Sequence, residues 1–163
     1  MKSVITAFHF TRRYCELLLA DIDDAQMTNL PHPGMNHPAW IVGHVALAAD
    51  LGAQLLGEDM ATDEAWMAMF GPGSTPVDDR SKYPSKADLL AMVTRTYDRL
   101  LDLLEAADPE TTLLQPNQTP FFPDQFPTTG DLLTHLMTTH AMLHLGQLSA
   151  WRRCAGLNSV LGI

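Results

Sequence analysis

Apolar residues Val4, Phe8, Cys15, Leu18 and Ile22 recur at spacings of three, four and seven, which predicts an amphipathic helix over roughly residues 3 to 26. The stretch TNLPHPGMNHP that follows packs proline, glycine and asparagine together, and each interrupts a helix for its own reason. A second helix is predicted to start with Asn36 as N-cap and Pro38 in its first turn, running through AWIVGHVALAADLGAQLL to a stop near Gly57. It holds no Lys, Arg or Glu and a single Asp, Asp50, so it is expected to be largely buried.

Between residues 58 and 84 the periodicity weakens to a short helical candidate, DEAWMAMF, flanked by glycine- and proline-bearing loops. Ser85 and Asp88 have capping-box spacing, and Leu90, Val93, Tyr97, Leu100, Leu101 and Leu104 then trace a stripe among charged neighbours, the clearest amphipathic helix of the chain. Pro109, Pro116, Pro120, Pro123 and Pro127 mark residues 108 to 127 as an ordered loop whose Phe121-Phe122 pair folds back, a candidate lid. Thr128 and Asp131 repeat the capping-box spacing and open a fourth helix that reaches Arg152-Arg153, with Gly156 as its C-cap. No alternating strand pattern appears, so the fold class is all-α. The expectation is a four-helix bundle with a long connection between helices two and three and a proline-rich loop before helix four.

Composition narrows the setting. At 163 residues, 46% hydrophobic and 18% charged, the chain suits one folded domain spanning 1–163. Ten Lys and Arg against nineteen Asp and Glu leave a charge of −9, which repels phosphate backbones and anionic lipid, so neither nucleic acid nor membrane is an expected partner. The basic pairs Arg12-Arg13 and Arg152-Arg153 read as solvated or helix-end charges. Cys15 and Cys154 lack redox or metal spacing and are expected to be buried, reduced thiols. The apolar stretch after Lys2 is broken by His9, Arg12 and Arg13, too soon for a signal-peptide core, and no apolar run approaches membrane-spanning length; the expected location is the cytoplasm.

The chemistry is carried by histidine. His140 and His144 are four apart, hence about 40° apart on neighbouring turns, able to grip one ion, and they project from the same stripe as Leu133, Leu136, Met137, Gln147 and Trp151. His135 falls about 140° from His140 on a regular helix and is expected to be structural or at an interface. His44 lies inside the nearly uncharged second helix, where an imidazole finds few polar neighbours except from another helix, and it is the candidate third ligand. The alternative for all three is a set of core histidines satisfied by hydrogen bonds. His37, about 10 Å along the axis from His44, reads as part of the start of helix two. Three imidazoles suit Zn, Ni, Fe or Co more than Ca or Mg and leave coordination open for water or substrate. Ala141 stands where an HExxH protease has its glutamate, which disfavours that chemistry, and no nucleophile elbow, phosphate loop or dinucleotide fingerprint is present.

NHPAWIVGHVALAAD in helix two and LLTHLMTTHAMLHLGQLSAWRRCAG in helix four resemble the DinB-like superfamily of metal-binding four-helix bundles, over nearly the whole chain. The resemblance implies a metal triad of His44, His140 and His144, with Gln147 in the HxxxHxGQ string either supporting a ligand from behind or serving as a helix-packing amide. It further implies one divalent transition metal ion (Zn, Ni or Fe) and a low-molecular-weight thiol as cofactors, since relatives with assigned roles include mycothiol-dependent maleylpyruvate isomerase and bacillithiol or mycothiol S-transferases. No catalytic side chain beyond the triad is identified.

The expected function is therefore a metal-dependent transferase or isomerase acting with a thiol on a small electrophile. A metal-dependent hydrolase using activated water is the second reading, although Asp50 projects about 120° from His44 and is a poor base. A non-catalytic metal- or ligand-binding protein is the third. The outer face of helix four, with His135, Thr138, Met142, Leu145 and Ser149, is uncharged until Arg152, which suggests a symmetric homodimer.

Overall fold

The computed structural model describes residues 2–162 and is helical throughout, with one isolated antiparallel bridge, Pro116 to Thr128, among the described residues. Helices α1 (Lys2–Leu19), α2 (Pro38–Leu55) and α4 (Lys86–Ala106) are joined in the bundle by a fourth rod. That rod is built from α5 (Thr129–His135), a π turn (Leu136–His140) and α6 (Ala141–Cys154). A short α3 (Glu64–Phe70) lies in the long connection between α2 and α4. Fifteen of the eighteen residues of α2 are buried, as its lack of charge requires, and α2 packs on α4 along its length while α1 meets α6 and the π turn. The Phe8 ring stacks on Tyr97 at 4.0 Å and ties α1 to α4.

The first helix ends at Leu19 rather than near residue 26. Asp21, Asp23 and Asp24 would sit at the negative end of a longer helix, where the macrodipole disfavours them. Two of them serve tertiary ties instead: Asp24 accepts from Arg80 and from the Lys86 amide, and Asp21 pairs with Arg152. Arg152 and Arg153 lie in the last turn of α6 as helix-end charges, and Arg153 is exposed, but Arg152 is not solvated: it is buried and also donates to the Leu18 and Asn158 carbonyls. Cys154 corrects another expectation: it is exposed, whereas Cys15 is buried and its thiol is pushed up to about 12 by burial.

The N-cap of α2 is His37, not Asn36: its Nδ1 accepts the Trp40 amide N–H at 3.0 Å, with Pro38 in the first turn. Asp50 is fully buried and anchors the connection to α4, accepting from the Ala61 and Thr62 amides, the Thr62 hydroxyl and Arg99. Ser85 and Thr128 cap α4 and α5 as their spacing predicts. In the loop before α5, Asn117 is a clasp, donating to the Phe121 and Phe126 carbonyls and accepting from the Thr119 amide and hydroxyl. No helix among the described residues is long and apolar enough to cross a membrane.

Candidate functional site

His44 projects from the middle of α2, His140 from the end of the π turn and His144 from the first turn of α6. One ring nitrogen from each lies within 4.8 Å of the others, and the Nε2 atoms of His44 and His140 are 3.3 Å apart. His44 and His144 are buried and His140 is half-buried. The three histidines singled out in the sequence thus come together in space.

The orientation of His44 is set from α3. Its Nδ1 lies 2.7 Å from the Phe70 carbonyl, which can only accept, so Nδ1 carries the proton and Nε2 presents a lone pair to the other imidazoles. The contact depends on Gly43: a Cβ there would stand 2.4 Å from the Phe70 ring, so only glycine admits α3 this closely. The Trp66 indole adds a bond to the Gly43 carbonyl at 3.1 Å. Trp40 lies flat on His44 at 4.6 Å and 10°, its own indole N–H held by the Ser74 hydroxyl.

His144 is oriented from its own helix. Its Nδ1 is 3.2 Å from Gln147 Oε1, and that oxygen also accepts from Asn36 Nδ2 at 3.1 Å. Gln147 thus holds a ring that points its Nε2 toward His44 and His140, and Asn36, released from capping α2, holds Gln147. Nδ1 of His140 is buried without a partner among the described residues. Burial lowers the pKa of all three, helped for His140 by His144, His44 and His135 and for His144 by His44, taking His140 to about 3 and His144 to about 4. At neutral pH all three are uncharged, the form that ligates a metal.

Two other histidines separate. His37 is fully buried with Tyr83 edge-on at 4.6 Å and takes no part in the cluster. His135 corrects the helical-wheel expectation. Bonds that span five residues in the π turn place residues five apart on nearly one face, so the His135 ring stands edge-on to His140 at 5.6 Å and borders the same cavity. The opposite face of His135 stacks on Phe126 at 4.4 Å, and its Nδ1 meets the Thr139 hydroxyl at 2.7 Å.

The three imidazoles open into a cavity of about 640 Å³ walled by α2, α3, the proline-rich loop and the fourth rod. Trp40, Leu47, Leu51, Phe121, Phe122 and Leu136 are among its walls. A smaller one of about 220 Å³ lies beside Asn36 and Gln147. Phe121-Phe122 therefore does fold over the site, as its apolar character in a proline-rich loop suggested. Sequence reasoning missed Phe70, which acts through its carbonyl and leaves no side-chain signal. It also passed over Gly43, whose position directly before His44 in a buried helix was the available hint.

A sequence model described as the DinB superfamily matches residues 7–148, a span that contains His44, His140, His144 and Gln147. The fold is similar to a crystal structure of the conserved protein of a locus from Enterococcus faecalis, with a TM-score of 0.72 and 18% identity over 99% of this chain and 97% of that one. At that identity the likeness bears on the fold alone. No curated protein matches the chain.

Proposed function

Because the chain belongs to the DinB superfamily, we propose that it is a metal-dependent enzyme that transfers a small thiol to an electrophile. In this reading His44, His140 and His144 hold one divalent transition ion, zinc, nickel or iron. The observation that carries it is the convergence of three neutral imidazole nitrogens within 4.8 Å in a buried pocket. The donor set fits: the Phe70 carbonyl fixes the His44 tautomer so that its Nε2 lone pair faces His140 Nε2, an arrangement a shared cation would satisfy.

Bound there, the ion supplies Lewis acidity that lowers the pKa of a coordinating thiol. The protein's own residues supply orientation and dryness. Phe70 and Gln147 hold two of the imidazoles, Trp40 covers one face of His44, and the apolar walls exclude water that would compete with a thiolate.

Two absences among the described residues favour an external thiol over hydrolysis. No carboxylate borders the cavity to act as base, and the one acidic residue of α2, Asp50, is occupied by Thr62, Ala61 and Arg99. No cysteine borders it either, and Cys15 is locked in the core as a neutral thiol. The reading includes a homodimer and a cytoplasmic setting where such thiols are reduced; the face expected to carry the dimer is not free as a whole, because Leu145 is fully buried within the chain and His135 borders the cavity.

Elemental analysis of the untagged protein tests the first step: about one transition ion per chain, lost in His44→Ala and in His140→Ala, is expected. The second step is conjugation of a chloronitrobenzene with a cellular thiol, dependent on metal and abolished in His144→Ala. Turnover without thiol would shift the assignment to hydrolysis. Metal binding that stabilises a dimer, with thiol and substrate screens silent, would shift it to a non-catalytic role.

A further inference from the structure

We infer that the cavity beside the triad takes the uncharged, elongated, apolar body of a substrate, with a single polar head at the imidazoles, and that Phe122 is the residue that selects it. The inference rests on the triad being the reacting end of the site. Along α2, His44, Leu47, Leu51 and Gln54 border the cavity at steps of three and four, one face of the helix. Ten residues of rise separate His44 from Gln54, so this wall extends about 15 Å from the imidazoles. Leu132 and Leu136 line the facing rod. The shape is a trough with nitrogen ligands at one end and an exposed amide, Gln54, at the other.

Its chemistry is as one-sided as its shape. No Asp, Glu, Lys or Arg is among the described residues that border it, so a charged group on the body of a ligand would lose its water and meet no counter-charge. The volume of about 640 Å³ lies within the roughly 300–1,000 Å³ typical of small-molecule sites.

Phe122 closes the trough from a costly backbone state. Its φ of +48° lies in the left-handed region, where asparagine or glycine is favoured and a bulky residue is an outlier. The loop holds it there: its carbonyl accepts from the Gln125 and Phe126 amides, and Asn117 grips the carbonyls of Phe121 and Phe126 on either side. Its ring, still largely exposed, borders the cavity and meets Phe126 edge-on at 6.4 Å, so the loop presents an aromatic face to the trough.

The test is calorimetric titration of the full-length protein, zinc-loaded and chelator-treated, with two straight-chain series. Alkylhydroxamic acids have a head that ligates metal; alkanols do not. In both series affinity should rise roughly fourfold per added methylene until the chain spans the trough. A carboxylate on the end of a chain too short to reach Gln54 should weaken binding at least a hundredfold, and Phe122→Ala, at an exposed position, should flatten the gradient. A flat dependence on chain length, an undiminished gradient in Phe122→Ala, or equal binding of the carboxylate-ended chain would each overturn the proposal. Failure of the metal assignment has a separate signature: hydroxamates would lose any advantage over alkanols in the zinc-loaded protein, with the gradient intact.

Discussion

Gly43 shows how a single missing carbon positions the site. Its Cβ would collide with the Phe70 ring, and relieving the clash moves the carbonyl that holds His44. Gly43→Ala is expected to lower zinc affinity by about 10–100-fold, the usual effect of losing an outer partner of a ligand, measured by competition with a chromophoric chelator. Gln147→Leu should act in the same direction through His144, whereas Gln147→Glu keeps an acceptor and should lose less. Burial takes His37 to about 4, below its ordinary 6.5, so the unfolded chain binds a proton that the folded chain refuses between those values. Its contribution to stability is complete above pH 6.5 and is lost as pH falls toward 4. His37→Asn, which retains an N-cap residue, should therefore show a shallower loss of melting temperature between pH 7 and 5 than the parent. At this scale the triad was legible, because two histidines one turn apart and a third alone in an apolar helix constrain geometry strongly. The backbone acceptor on Phe70 was not, since any residue could provide that carbonyl.

Among the elements, α2 was readable from its lack of charge and α4 from its stripe, while the fourth rod hid its one irregularity. DLLTHLMTTHAMLHL follows a helical pattern without a break, yet the turn through Leu136–His140 widens and swings His135 to the cavity. Nothing in side-chain periodicity distinguishes that turn from an ordinary one, so the helical-wheel angle for His135 was sound arithmetic on the wrong geometry. The end of α1 was misjudged for a related reason: Ile22 continues the apolar period, but the aspartates beside it are drawn into bonds with Arg80, Lys86 and Arg152. The loop before α5 depends on Asn117, whose amide makes four bonds within it. Asn117→Ala should cost about 1–3 kcal/mol of local stability and raise the rate of limited proteolysis between residues 117 and 127 at least tenfold, with the helical circular dichroism unchanged.

For the molecule as a whole, the bundle was legible because each long helix advertises an apolar face, and its ties were not, because pairs such as Asp21 with Arg152 join residues remote in sequence. Three buried histidines, 37, 44 and 144, and the half-buried His140 share a depressed pKa, so acid should unfold the protein cooperatively as pH drops below about 6, and metal should oppose that drift. Zinc at about 100 times its dissociation constant contributes about 2.7 kcal/mol, which for a chain of 163 residues raises the melting temperature by about 5–10 °C. Differential scanning calorimetry should find that rise in the parent and none in His140→Ala. The flat contact between Trp40 and His44 also makes the protein its own optical gauge. Of its three tryptophans only Trp40 lies on a candidate ligand, so an open-shell ion such as nickel should darken the ultraviolet emission and closed-shell zinc should leave it bright, letting the light the protein returns discriminate between ions before any is assayed for turnover.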